Sequence, residues 1–216
     1  MRSPIDHWSF ALRIITAVAA IGLINSFLLP WQSSVDLMRE GGLVENTTVV
    51  LFYIAVTVLW TFTPPTLPRL SCAAISILLL ACAARELDMH IALFGMSILK
   101  ANFYRKFATG PQIAVALLII FPVVLSLVYL LIRHGRWLLN GVRDRTPTAV
   151  TTMSIIGLLV FVKLLDRALG MVEELGGQAA PIALRAMQLS LEEPLEGVLA
   201  LLVMVAITQA WGTGKR

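Results

Sequence analysis

The stretch LSCAAISILLLACAARELDMH, residues 70–90, decides the fold class of this chain. No charged side chain occurs before Arg85, and then Glu86, Asp88 and His90 follow within six residues. An apolar helix of about 20 residues crosses a hydrocarbon core of about 30 Å. Charged residues at the end of such a helix are costly and call for a structural or functional reason. The stretch therefore predicts a membrane-spanning helix with a polar site at one end.

The composition of the whole chain is that of a membrane protein. Of its 216 residues, 58% are hydrophobic and 14% are charged, and the mean hydropathy is +0.84. Soluble domains carry about 25% charged residues. We therefore predict an all-α fold, in which residues 1–216 form a single transmembrane helix bundle without a separate soluble domain.

Apolar runs predict six membrane spans, at about residues 10–29, 43–62, 70–90, 113–132, 149–169 and 194–211. Gly176, Gly177 and Pro181 interrupt the segment before the last span, which is predicted to be a loop with a short surface helix at residues 182–189. Cys72 and Cys82 are ten residues apart on one predicted helix, about 15 Å along its axis. That separation is too long for a disulfide, so both cysteines are predicted to be free.

The basic residues predict the orientation in the membrane. Six spans place both termini on one side, together with Arg133, Arg136, Arg143 and Arg145 in the connection between the fourth and fifth spans. The positive-inside rule makes that side cytoplasmic, in a bacterial inner membrane. All of the acidic residues except Asp6 and Asp144 then face the outer side. The basic pI of about 9.4 belongs to the inner face, which meets anionic lipid, and needs no nucleic-acid partner.

Acidic residues mark four predicted helix ends on the outer side, and in a bundle these ends are expected to converge. They are Glu45, the pair Glu86 and His90 one turn apart, the pair Lys163 and Asp166, and the group Glu192, Glu193 and Glu196. Helix capping is an alternative explanation for the acids at helix N-termini, and an interior ion pair for Lys163 and Asp166. Glu86 lies at a helix C-terminus, where an unpaired carboxylate is unfavourable, so it is either a ligand or paired with Arg85 or Lys100.

Carboxylates together with one histidine suit a divalent metal ion or general acid–base chemistry. The predicted catalytic residues are Glu86, Asp88, His90 and Lys100. The predicted metal ligands are Glu45, Glu86, His90, Asp166 and Glu193. Basic side chains bind phosphate or carboxylate groups, so Arg85 and Arg167 are predicted to hold a substrate headgroup. The sequence contains no H-E-x-x-H zinc motif and leaves the identity of the metal open.

Three functions fit these residues. The first is an enzyme that acts on a lipid or lipid-linked substrate at the outer leaflet. The second is a cation- or proton-coupled carrier with Lys163 and Asp166 as its intramembrane relay, and the third is a scaffold held by structural ion pairs. A carrier needs polar residues deep in the membrane, whereas a surface enzyme does not. Because the middles of the predicted spans are mostly apolar, the sequence favours the surface enzyme.

Three short motifs resemble a family of uncharacterised multi-pass bacterial inner-membrane proteins. They are E-G-G-L-V-E at residues 40–45, R-E-L-D-M-H at residues 85–90 and S-I-L-K-A-N-F-Y at residues 97–104. The resemblance covers mainly the first half of the chain. It implies the location and the multi-pass topology, and it carries no established reaction.

Overall fold

The computed structural model describes residues 4–38, 42–177 and 179–213, and within these ranges it contains helices and no β-strand. This confirms the all-α prediction. A short 3₁₀ turn at Pro4–Asp6 precedes the first α-helix, and a π-helical turn at Phe103–Phe107 precedes the sixth. The α-helices are α1 (Phe10–Leu28), α2 (Trp31–Leu37), α3 (Leu43–Thr61), α4 (Arg69–Glu86), α5 (Met89–Phe94), α6 (Gly110–Arg143), α7 (Pro147–Gly176) and α8 (Ile182–Thr213).

Five of the described helices, α1, α3, α6, α7 and α8, are long and apolar enough to cross a membrane. They match five of the predicted spans and make the chain an integral membrane protein. Helix α4 corresponds to the remaining predicted span. It has 18 residues and carries Arg69, Arg85 and Glu86 at its two ends, so its interior alone is apolar. The count of six spans stays a prediction.

Helix α8 differs from its predicted boundaries. Residues 182–189 are not a separate surface helix but the first turns of one continuous helix of 32 residues, which contains Pro194. A proline inside a helix removes one N–H donor and leaves the carbonyl four residues earlier, here that of Ser190, without its helical partner. In a packed membrane helix neighbouring segments accommodate such a break. The proline therefore lies within α8, where the sequence indicated the start of a span.

Helix α8 is also the centre of the bundle. It packs against α1, α2, α3 and α7, and half of its apolar stretch is buried, against 11% for α6. Leu195, Val198 and Leu202 of α8 form the main apolar core together with Phe52 of α3 and Val162 of α7. Helix α4 packs on α3 and α6.

Different segments of the chain lie at the two ends of the bundle. The Gln209 amide donates to the Ile5 carbonyl at 2.8 Å, so the first and last described residues lie together at what we call the terminal end. His134 near the end of α6 contacts Ser71 at the start of α4 there. The opposite end contains the start of α3 and the end of α4, and we call it the cluster end.

After α4 the chain folds back over the cluster end before α6 begins. Phe103 is fully buried and packs edge-on against Phe94, with their ring centroids 5.6 Å apart. Ile98 and Ala116 complete this small apolar cluster. This packing attaches α5 and the π-helical turn to the first turns of α6.

Both cysteines are free, as the sequence predicted. Cys72 is buried and Cys82 is half-buried on α4. They are ordinary packing residues of the bundle.

The closest approach of α1 to α8 gives a test of the packing. A Cβ atom built on Gly22 would lie 2.2 Å from the Ser190 carbonyl oxygen, whereas one built on Gly157 of α7 would meet nothing within 4 Å. We expect Gly22→Ala to lower the free energy of unfolding by about 1–3 kcal/mol, because the helices must separate. The matched change Gly157→Ala should leave stability unchanged or raise it by up to about 1 kcal/mol. Thermal unfolding in detergent measures both, and equal behaviour of the two variants would contradict this packing.

Candidate functional site

Glu196 of α8 is the centre of a group of charged side chains that comes from three helices. Its side chain is only 4% exposed. Its Oε1 atom accepts a hydrogen bond from Arg85 Nη1 at 3.1 Å and another from Lys163 Nζ at 3.1 Å. One carboxylate thus joins α4, α7 and α8. We call Arg85, Glu86, Lys163, Asp166 and Glu196 the charge cluster.

Arg85 joins a second buried carboxylate to the cluster. Its Nη1 atom lies 3.3 Å from Glu86 Oε1, and the Glu86 side chain is 6% exposed. Glu86 is the last residue of α4, where the carbonyl ends of the helix disfavour an unpaired negative charge. The ion pair with Arg85 offsets that cost. Of the two pairing partners that the sequence allowed for Glu86, the structure has Arg85.

Lys163 extends the cluster towards the surface of the bundle. Its Nζ atom lies 3.7 Å from Asp166 Oδ2, and the Asp166 side chain is 49% exposed. The two residues are three apart on α7 and share one face, as their spacing predicted. Lys163 therefore connects a buried carboxylate on α8 with an exposed one on its own helix.

Further acids line the same stretch of α8. Glu192 is buried, and its Oε2 atom accepts a hydrogen bond from Gln188 Nε2 at 3.1 Å. The same Gln188 nitrogen lies 3.3 Å from the Leu165 carbonyl of α7. Glu193 is half-buried and interacts electrostatically with Glu45 at the start of α3. The first turns of α8 are thus tied to α7 by polar contacts next to the charge cluster.

The region has more acidic than basic groups. Around Glu196 the acids are Glu86, Asp166, Glu192, Glu193 and Glu196 itself, and the bases that contact them are Arg85 and Lys163. Among the described residues, the charge cluster itself has three carboxyl groups and two bases. Glu192 and Glu193 beside it bring the excess in this region to three carboxyl groups. In a membrane interior such an excess is costly unless protons or cations neutralise it.

Glu196 lies inside the bundle, whereas other members of the charge cluster reach its edge, since Glu86 ends α4 and the Asp166 side chain is 49% exposed. Glu196 is 14 residues after Ile182, about 21 Å along α8. A Cβ atom on the neighbouring Gly197 would lie 3.1 Å from Thr48 Oγ1, and Thr48 is five residues inside α3. Glu196 is therefore roughly 8 Å further into the bundle than the start of α3.

The structure brings some of the predicted site residues together and leaves others apart. Arg85, Glu86 and Asp166 belong to the charge cluster, and Glu193 and Glu45 lie beside it. Asp88 and Lys100 are exposed on the segment that follows α4, and His90 is half-buried there. Arg167 is exposed on α7. In the part of the chain that the structure describes, no salt bridge joins these four residues to the charge cluster.

The prediction that Glu86 and His90 lie one turn apart on one helix was wrong. Helix α4 ends at Glu86, and His90 belongs to α5. Between them Asp88 has a left-handed backbone with φ of 46°, a conformation that aspartate tolerates better than most residues. The sequence R-E-L-D-M-H at residues 85–90 has no glycine or proline to mark this break. The four-residue spacing of Glu86 and His90 therefore does not place their side chains on one face of one helix.

The predicted metal ligands are not gathered around one point. Within residues 4–38, 42–177 and 179–213, no three histidine, cysteine or acidic side chains are grouped as ligands for a single ion. The metal set of Glu45, Glu86, His90, Asp166 and Glu193 stays a prediction, as do the catalytic roles of Glu86, Asp88, His90 and Lys100 and the headgroup roles of Arg85 and Arg167.

Sequence reasoning did not select the residue at the centre. Glu196 was placed among the converging acids, with helix capping as the alternative, and was left out of the predicted catalytic and metal sets. Lys163 was assigned to an interior ion pair with Asp166 or to the relay of a carrier. The available signal was that each is a charged residue within an apolar run, which is costly unless the residue is paired.

Fold and site together define a helical membrane protein with an acid-rich ionic cluster centred on a carboxylate buried in its bundle. Comparison with known protein families, with curated proteins and with solved structures finds no match. The resemblance carried by the three motifs stays an expectation, and Glu40 and Gly41 of the first motif lie outside the described residues.

Proposed function

We propose that this protein is a proton- or cation-coupled carrier, with the charge cluster as its coupling site. The observation that carries the proposal is Glu196, a carboxylate buried well inside the bundle and held between two bases from different helices. Ionisable residues at such positions in membrane proteins commonly belong to ion or proton pathways. The depth of Glu196 favours this function over the surface enzyme.

The charge balance supports ion binding at the cluster. Because three carboxyl groups are in excess, the site reaches neutrality by taking up protons or a cation. Carboxylates that share bases compete for them, so a proton on Glu86 or Glu196 redistributes Arg85 and Lys163. Binding at one group is thereby linked to contacts between three helices, which is what coupling requires.

The proline within α8 lies next to this site, and it weakens the backbone hydrogen bonding of the helix there without breaking it. Pro194 is two residues before Glu196, and it leaves the Ser190 carbonyl without a helical partner. Interrupted helices beside an ionic site are a recurrent feature of membrane carriers, where exposed carbonyls and helix ends contact the transported ions. The outer turns of α8, with Gln188 and Glu192, are the segment that would change its contacts.

Asp88 favours the alternative function, an enzyme that acts on a lipid or lipid-linked substrate. Its positive φ is uncommon for a residue other than glycine, and such backbones occur frequently at active sites. In this alternative Asp88, His90 and Lys100 act at the cluster end, with Glu86 and a divalent metal ion. It is the second candidate because Glu86 is paired within the charge cluster and the other three are not.

We further propose that the protein lies in a bacterial inner membrane with both termini in the cytoplasm and the cluster end towards the periplasm. The arginine-rich segment at residues 133–145 supports this orientation. Reporter fusions after Arg143 and after Gly177 should report the cytoplasm and the periplasm, respectively. The opposite result at both positions would contradict this orientation and place both termini in the periplasm.

Purified full-length protein in liposomes tests the coupling. A sodium or potassium gradient should drive proton movement, read with a pH-sensitive dye inside the vesicles. Asp166→Asn and Glu196→Gln should each slow this flux at least about tenfold, because relay groups make such contributions to proton transfer. The matched control Asp88→Asn makes the same chemical change at another exposed carboxylate and should stay within about twofold of wild type.

Two results would contradict the carrier proposal. One is the absence of proton movement by the wild-type protein under both gradients. The other is an equal loss of flux in Asp88→Asn and Asp166→Asn, since that pattern would place the essential acid outside the charge cluster.

A further inference from the structure

Helix α6 is longer than a membrane core requires. It has 34 residues and is about 51 Å long, against a hydrocarbon thickness of about 30 Å. Its residues 110–132 carry no charge and suffice to cross the core. The remaining residues, from Arg133 to Arg143, extend beyond the apolar run at the terminal end for about three helical turns.

The arginines of this extension lie on one face. Arg133, Arg136 and Arg143 are separated by three and seven residues, spacings that return to the same side of an α-helix. All three side chains are exposed. Among the described residues no salt bridge involves them, and the acids of this end are Asp6 and Asp144. We call these three residues the arginine stripe.

The stripe is flanked by exposed apolar side chains. Ile132 is 80% exposed, Leu139 is 65% exposed and Trp137 is 49% exposed. Tryptophan beside basic residues at the end of an apolar span is typical of the headgroup layer of a membrane. A face that combines these apolar groups with arginine therefore fits a lipid surface better than it fits a soluble acidic partner.

Arginine is suited to phosphate, because its planar guanidinium donates two parallel hydrogen bonds to phosphate oxygens. Lipid headgroups at the end of the apolar run present such oxygens at the depth of Arg133 and Arg136. A negatively charged headgroup leaves its phosphate uncompensated, whereas phosphatidylcholine compensates it with its own ammonium group. The arginine stripe is therefore expected to bind a negatively charged headgroup more strongly than phosphatidylcholine.

We propose that the arginine stripe is a binding surface for anionic phospholipids in the leaflet at the terminal end of the bundle. This surface is separate from the charge cluster and does not depend on the function proposed for that cluster. Its ligand is the phosphodiester headgroup of phosphatidylglycerol or a lipid of like charge. Arg133 and Arg136 lie at the depth of these headgroups and bind them directly, and Arg143, about 10 Å further along the helix, adds positive potential within about a Debye length.

Titration of the purified full-length protein with fluorescent phosphatidylglycerol measures its affinity for anionic phospholipid and tests whether the arginine stripe is the binding surface. The variant Arg133→Gln, Arg136→Gln, Arg143→Gln should bind more weakly by about fivefold per arginine, on the order of a hundredfold in total. A matched control removes three exposed charges at the cluster end, through Arg105→Gln, Lys106→Gln and Arg185→Gln, and should change the affinity by less than about threefold. Fluorescent phosphatidylcholine should bind all three proteins equally.

Each other outcome would overturn the proposal. An equal loss in the stripe variant and in the control would mean diffuse attraction by net charge. Full competition by millimolar inorganic phosphate would mean a site for free phosphate. Unchanged affinity in a stripe variant whose thermal unfolding matches that of wild type would exclude the arginines as ligands.

Discussion

The arrangement of this bundle depends on a buried carboxylate that is shared by two bases. Glu196 receives Arg85 from α4 and Lys163 from α7, and both helices consist mainly of apolar residues. In a membrane, lipid solvates apolar side chains as well as another helix does, so polar contacts contribute strongly to which helices associate. The charge cluster therefore helps to specify that α4 and α7 meet at α8.

The same arrangement links structure to the proposed function. The proposed function rests on the acids of the charge cluster together with Glu192 and Glu193, which outnumber the two bases by three. Pro194 places a missing helical hydrogen bond two residues before Glu196, and Gly22 allows α1 to approach the Ser190 carbonyl. If the proposal holds, ion binding at Glu196 acts on the part of α8 where its backbone hydrogen bonding is incomplete.

The sequence was sufficient for the fold class and for most of the spans because apolar runs of span length have few other structures available to them. It was insufficient at helix boundaries. Pro194 indicated a helix start but lies within α8, since a buried helix tolerates one missing donor. His90 followed Glu86 at helical spacing, yet the left-handed Asp88 ends the helix between them. Because of these two boundaries, the sequence did not indicate that Glu196 lies within a continuous helix or that His90 lies on a different helix from Glu86.

The free-energy coupling between Lys163 and Glu196 tests the central claim most directly. A double-mutant cycle of Lys163→Met and Glu196→Gln, followed by thermal unfolding in detergent, isolates the interaction between the two side chains. The contact at 3.1 Å predicts a coupling of about 0.5–3 kcal/mol. A parallel cycle of Glu196→Gln with Lys100→Met, an exposed lysine of the cluster end, should be additive within about 0.5 kcal/mol. Additivity in both cycles would contradict a bundle organised around Glu196.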